Sequence, residues 1–259
     1  MQQPNVTISA PAIATRDVEV CGLRVRYQVV GSGEPVILVH GLSGSSRWWM
    51  RNIPVLAPHY QLYLVDLPGF GAMRRHRRHF VLTEAAAWLL AWMEALDLHQ
   101  THVIGHSMGG YISARLAAAR PSAVRRLVLV APAGTPAGRS LPGYFIPLLL
   151  SGRYAAPRFL PVLLYDTLRA GPRTVLRAGM ALLAEDLRVH LEAITAPTLL
   201  VWGEYDPLVP HSIAEVLCRE IRDSRLLILK GAGHVPMFDR PREFNAAILR
   251  FLAGEPDGE

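Results

Sequence analysis

Apolar positions along this chain fall into short blocks of two different periods. Across residues 18–30 apolar and polar side chains alternate, which predicts two strands joined by a turn at Cys21-Gly22. Residues 35–40 are a continuous apolar run, the pattern of a strand buried on both faces. Further runs of this kind occupy 61–65, 101–104, 126–130, 197–202 and 225–229. Between them the period lengthens. Ala85, Leu89, Trp92, Met93 and Leu96 keep the three-and-four spacing of a half-buried helix, with Thr83 as its expected cap. A second helix is expected over 111–120 and stopped by Pro121, a third over 213–221, and a last over 242–252 with Phe244, Ala247, Ile248 and Phe251 on one face. Strands and helices alternating in this way predict an α/β fold with a mostly parallel central sheet flanked by helices.

One stretch breaks the rhythm. Residues 135–195 hold six prolines and no convincing strand, only helical pieces over 158–170 and 173–184 with Pro157 and Pro172 placed to start them. The expected organisation is therefore a core of residues 1–134 and 196–259, with 135–195 inserted as a helical cap before the seventh strand. A chain of 259 residues, 51% hydrophobic, can bury a large core. The greasiest run, 141–150, is too short for a membrane span and is broken by Pro142 and Pro147. With no signal-peptide pattern over 1–15, a cytoplasmic protein is expected. Cys21 and Cys218 make neither a disulfide framework nor a metal site, and are expected to be buried free thiols. The net charge of +6 is carried almost wholly by arginine, Lys230 being the only lysine. It bears on solubility and weak anion attraction, and suggests no nucleic-acid partner.

The chemistry centres on Gly105-His106-Ser107-Met108-Gly109-Gly110, which lies between a buried strand and a helix. Small residues on both sides of Ser107 permit a turn tight enough to strain its backbone and hold its hydroxyl clear, beside the first helical amides. A serine hydroxyl attacks only when a base takes its proton, and that base needs a third group to orient it. In an open parallel sheet such groups gather at the carboxyl ends of strands. Two later ends qualify: Trp202-Gly203-Glu204-Tyr205-Asp206 and Lys230-Gly231-Ala232-Gly233-His234. Glu204 and Asp66 compete with Asp206 for the acid, and His106 and His40 with His234 for the base.

Taken together, His40-Gly41, Asp66-Leu67-Pro68-Gly69-Phe70-Gly71, the serine turn, Trp202–Asp206 and Gly233-His234 resemble the α/β-hydrolase family, of the small capped serine esterase type. The resemblance covers nearly all of the chain outside 135–195. It implies Ser107 as nucleophile, His234 as base and Asp206 as its orienting acid. It also implies that the backbone N–H groups of Leu42 and Met108 form the oxyanion hole. The implied activity is hydrolysis of small-molecule carboxylic esters through an acyl-enzyme, without cofactor or metal. The apolar content of the cap, Leu148, Leu149, Leu150, Phe159, Leu160, Val162, Leu163 and Leu164, suggests either a pocket for short to medium acyl chains or simple packing of the cap onto the core. Aspartate-nucleophile relatives (dehalogenases and epoxide hydrolases) are disfavoured because the turn holds serine, and two further rivals stand beside the esterase reading, the first of which shares the motif order. One is a carbon–carbon bond hydrolase of dienone-type compounds, disfavoured because Val235 stands where those relatives carry an aromatic residue. The other is a non-catalytic ligand-binding or signalling protein on the same fold. The basic run Met73-Arg74-Arg75-His76-Arg77-Arg78-His79 reads first as a solvated loop, and second as a surface for an anionic partner or acidic substrate. The oligomeric state is left open.

Overall fold

The computed structural model describes residues 12–135, 143 and 145–255. Eight strands build one sheet: β1 (Ala14–Val20), β2 (Leu23–Val30), β3 (Pro35–Val39), β4 (Gln61–Val65), β5 (Thr101–His106), β6 (Val124–Val130), β7 (Thr198–Gly203) and β8 (Ser224–Leu229). Their spatial order is β1-β2-β4-β3-β5-β6-β7-β8. β1 and β2 form an antiparallel hairpin, and β2 meets β4 antiparallel. Every later pairing is parallel. Both turn residues of the hairpin have positive φ, Cys21 at 49° and Gly22 at 72°, which is the two-residue turn that matches strand twist.

The inner parallel strands β3, β5 and β7 are buried on both faces because helices cover both, whereas β8, at the edge of the sheet, is mostly half-buried. Ile37 and Val39 point into a core shared with α2 (Ala85–Ala95), α3 (Met108–Ala119) and α7 (His211–Glu220). Val36 and Leu38 point the other way, toward the short α1 (Ile53–Leu56), α8 (Pro236–Asp239) and the terminal α9 (Pro241–Ala253). The last of these begins at a proline and ends at Gly254 with φ 79°, the residue pair that best starts and stops a helix. Between β6 and β7 lie α4 (Phe145–Tyr154), α5 (Leu160–Ala170), α6 (Pro172–Leu183) and a 3-10 segment, Leu187–Ala193. No strand occurs there among the described residues.

Several local expectations are corrected. Thr83 does not cap α2: it lies in a 3-10 turn, Leu82–Glu84, and Glu84 stands at the cap position without a side-chain bond. Pro157 does not start a helix, since α5 begins at Leu160 and Pro161 occupies its first turn. Cys21 is exposed at the hairpin tip and Cys218 is half-buried, so neither is a buried thiol. The basic run forms 3-10 turns, Gly71–His79, rather than an open loop. The expectations for residues 1–11, for residues 136–142, for the side chains of Arg78 and Leu149, and for the tail after 255 lie outside the described residues. No described helix is long and apolar enough to cross a membrane.

Candidate active site

Ser107 follows β5 directly, with φ 51° and ψ −113°. Such a backbone costs a non-glycine residue about 1–3 kcal/mol and persists only when its surroundings over-determine it. Three backbone bonds do so: Ser107 N–H donates to the Val130 carbonyl at 2.9 Å, and its own carbonyl accepts from Tyr111 (3.0 Å) and Ala133 (3.1 Å). The glycines are required by crowding. A side chain at Gly105 would strike the Gly109 carbonyl and the Ser113 hydroxyl, and one at Gly109 the carbonyls of Val39 and His40.

The loops after β7 and β8 bring two distant residues to this hydroxyl. His234 Nε2 lies 3.1 Å from Ser107 Oγ. On the far side of the ring, Nδ1 lies 2.7 Å from Asp206 Oδ2. The other carboxylate oxygen of Asp206 accepts the backbone N–H groups of Leu208 (2.8 Å) and Val209 (3.0 Å), which fixes its rotamer. Asp206 is buried, and its bond to Nδ1–H selects the tautomer that leaves Nε2 free to accept a proton.

The competing residues are engaged elsewhere. Glu204 accepts the Gly231 N–H at 2.9 Å. Asp66 accepts from the amides of Ser46 (2.6 Å) and Ala72 (2.7 Å), shaping two loops. His40 spans its own loop, Nδ1 donating to the Gly41 carbonyl at 2.8 Å and Nε2 accepting from Leu67 N–H at 3.0 Å. His106 turns away from the serine hydroxyl and donates from Nε2 to the carbonyl of His234 at 2.8 Å. Burial holds the His40 imidazole below its ordinary pKa. Burial, with the nearby His234, depresses that of His106 well below it.

Met108 follows Ser107 at the start of α3, and Leu42 lines the same cavity as Ser107. Met108 is the first residue of α3, so its N–H has no acceptor within the helix. Leu42 follows Gly41, where a side chain would stand 3.2 Å from Ser107 Cβ and 2.7 Å from His106 Nδ1. A turn closed by Gly44 N–H to the Gly41 carbonyl (3.0 Å) carries the loop onward.

Two carboxylates that the sequence reading passed over clamp this arrangement. Asp166 on α5 is buried and accepts from Ser45 Oγ–H (2.7 Å), Trp48 Nε1–H (3.1 Å) and Arg47 (3.4 Å). Beside it Thr167 donates to Ser43 Oγ at 3.1 Å. Asp239 accepts from Gly233 N–H (3.0 Å), next to His234, and from Ala156 N–H (2.8 Å), just past α4. Burial raises the pKa of both carboxyls. One signal for Asp166 was available: it is the only acid between residues 135 and 184. Nothing local marks Asp239.

A cavity of about 1140 Å³ opens over Ser107 and His234. Leu148, Leu160, Leu163, Leu164, Val175 and Leu176 from α4, α5 and α6 form much of its wall. At one side the Tyr111 hydroxyl donates to Glu185 at 2.5 Å, and burial with that carboxylate pushes the phenol pKa up to about 12. The basic run does not line this cavity; it packs against α5 and against the hairpin, where Met73 Sδ accepts the Arg26 N–H at 3.3 Å. His76 and His79 have ring centroids 6.2 Å apart, and no group of three or more metal-ligating side chains occurs among the described residues.

Comparison with known proteins places the fold. The profile of the "Alpha/beta hydrolase family" matches residues 36–247. A pimeloyl-[acyl-carrier protein] methyl ester esterase from Aeromonas salmonicida is 30% identical over 90% of this chain and 100% of its own. The dihydrolipoyllysine-residue acetyltransferase component of an acetoin cleaving system from Pseudomonas putida is 28% identical over 92% of this chain and 69% of its own. Among solved structures, a membrane phospholipase A superposes with a TM-score of 0.83 at 28% identity, over 93% of this chain and 86% of that one. A profile that runs from β3 into α9, on a sheet of this order, leaves one family for the fold: the chain belongs to the alpha/beta hydrolase family.

Proposed function

We propose that this hydrolase is a serine esterase, cleaving carboxylic esters through Ser107, His234 and Asp206. The observation that carries the reading is the unbroken relay from the strained Ser107 hydroxyl, through His234 at 3.1 Å, to Asp206 at 2.7 Å. His234 Nε2 takes the hydroxyl proton as Ser107 Oγ adds to the ester carbonyl, and Asp206 stabilises the imidazolium that results. The oxyanion rests on the Leu42 and Met108 N–H groups. His234 then returns the proton to the departing alcohol, leaving an acyl-serine. Water, deprotonated by the same imidazole, adds to that ester and releases the acid.

Residues 135–195 are assigned as a cap whose leucines hold the acyl chain, and the enzyme is placed in the cytoplasm. The Aeromonas relative is named as a pimeloyl-[acyl-carrier protein] methyl ester esterase, which supports ester hydrolysis and a pocket for an acyl chain of short to medium length. No cofactor is needed for any step. The test is a panel of esters graded by acyl length, run on the parent and on Ser107→Ala. Turnover that peaks at short or medium chains and falls by about 10⁴-fold or more in the variant supports the reading. Equal turnover by both proteins overturns it, and no turnover of any ester favours a binding protein on this fold.

A further inference from the structure

Helices on a protein surface ordinarily turn polar side chains to water. α5 does the opposite, and α6 mixes apolar with basic side chains on its exposed face. Ten of the sixteen exposed large hydrophobic side chains among the described residues fall between residues 146 and 180. On α6, Arg173, Leu176, Arg177 and Met180 share one exposed face, opposite the buried Thr174, Ala178 and Leu182. On α5, Leu160, Leu164 and Leu168 follow one another at four-residue steps, and Leu168 is 72% exposed.

Four of these exposed leucines, at 148, 160, 164 and 176, also line the cavity over Ser107. They are its mouth. The apolar surface outside is thus continuous with the apolar wall within. The charges nearby are one-sided. Arg153, Arg158, Arg173 and Arg177 are exposed, and none forms an ion pair with a described carboxylate. The only acid of α4 to α6, Asp166, is turned inward and buried against Ser45 and Trp48.

We infer that the outer face of α5 and α6 docks on an anionic phospholipid surface, with the cavity mouth turned toward the lipid. A face of leucine and methionine edged by arginine, without exposed acid, matches the acyl–headgroup boundary of a bilayer. The arginines meet lipid phosphates while Leu168 and Met180 enter among the chains, so an acyl substrate reaches Ser107 without crossing water. A water-soluble acidic protein would use the arginines but leave these apolar side chains unsatisfied. The inference takes the direction of substrate entry from the esterase reading, but the docking surface stands apart from the chemistry.

The test is co-sedimentation of the full chain with vesicles of phosphatidylcholine alone or mixed with phosphatidylglycerol. Ser107→Ala serves as the binding species, so hydrolysis does not alter the lipid. Binding should favour the anionic vesicles by at least about tenfold, and Arg173→Ser with Arg177→Ser should weaken it by about fivefold for each arginine. Leu168→Ser with Met180→Ser should weaken it at least about tenfold. Placed in the parent background, both pairs should hydrolyse a soluble short-acyl ester within about twofold of the parent, since none of the four side chains lines the cavity. Absence of vesicle binding, binding indifferent to anionic lipid, or binding unchanged in both pairs overturns the inference. So does a dimer by light scattering that Leu168→Ser with Met180→Ser converts to monomer, because a second copy would then cover the face. If Ser107→Ala proves as active as the parent, the esterase reading falls while the vesicle result still decides the docking surface.

Discussion

Asp166→Ala removes the acceptor that ties α5 to the loop carrying Leu42, and its cost follows from what it strands. Ser45 and Trp48 are both buried, and each donates to Asp166 Oδ2. A buried donor left without a partner costs about 1–3 kcal/mol. The indole N–H of Trp48 cannot turn elsewhere, whereas the Ser45 hydroxyl can rotate, so Ser45 stands at the low end of that range. Arg47 is half-exposed and recovers its hydration, contributing little. One effect opposes the loss: burial raises the Asp166 pKa, so the carboxylate is held at some expense that alanine relieves. The net expectation is about 2–4 kcal/mol, a large share of a stability of about 5–15 kcal/mol.

Asp166→Asn keeps one oxygen for Trp48 and should lose less than alanine does. The pH dependence has a definite sign. A folded-state pKa above the unfolded value means the folded chain takes up the proton first, so the parent's advantage over Asp166→Ala should widen as pH falls from neutral toward the ordinary carboxylate range. Freed from α5, the Leu42 amide becomes mobile, and kcat on a soluble ester should fall about 10–100-fold with KM little changed. Urea unfolding at several pH values and steady-state kinetics measure both. A stability within about 0.5 kcal/mol of the parent, with kcat within about twofold, would refute the reasoning.

Other expectations follow from the same geometry. In Asp206→Asn the side-chain oxygen stays with the Leu208 and Val209 amides, so the NH₂ group faces His234 Nδ1 and forces the wrong tautomer; kcat should drop about 10⁴-fold at neutral pH, read by steady-state kinetics with circular dichroism unchanged. His40 and His106 are fully buried with depressed pKa values, so the unfolded chain binds more protons below about pH 6.5. Stability should therefore decline on acidification by up to about 1.4 kcal/mol per pH unit for each such histidine, and His106→Asn should flatten that slope in pH-resolved urea titrations. Gly109→Ala drives a methyl group into the backbone carbonyls of Val39, the last residue of β3, and of His40 just past it, and backbone cannot swing aside as a side chain can; about 1–3 kcal/mol should be lost by thermal or urea unfolding, and a variant as stable as the parent would show the turn to be loosely packed.

The sequence alone determined the sheet, the alternation of its helices and the order of the candidate residues. Runs such as 35–40 and 126–130 have only one stable use, between two layers of helix, and a serine flanked by Gly105 and Gly109 has few uses other than a strained turn. Local chemistry was also enough to place the hairpin at Cys21-Gly22, because two residues between alternating runs leave one turn geometry. It was not enough for Thr83 or Pro157, where tertiary packing moved the helix starts and local propensity yielded. Only the tertiary structure decided that His106 grips the backbone of His234, that Asp166 and Asp239 clamp the loops of the site, and that the leucines of α5 and α6 form a mouth as well as a wall. Each of these joins residues far apart in the chain. A side chain's partner at such a distance depends on the direction in which two elements cross, which no local pattern encodes.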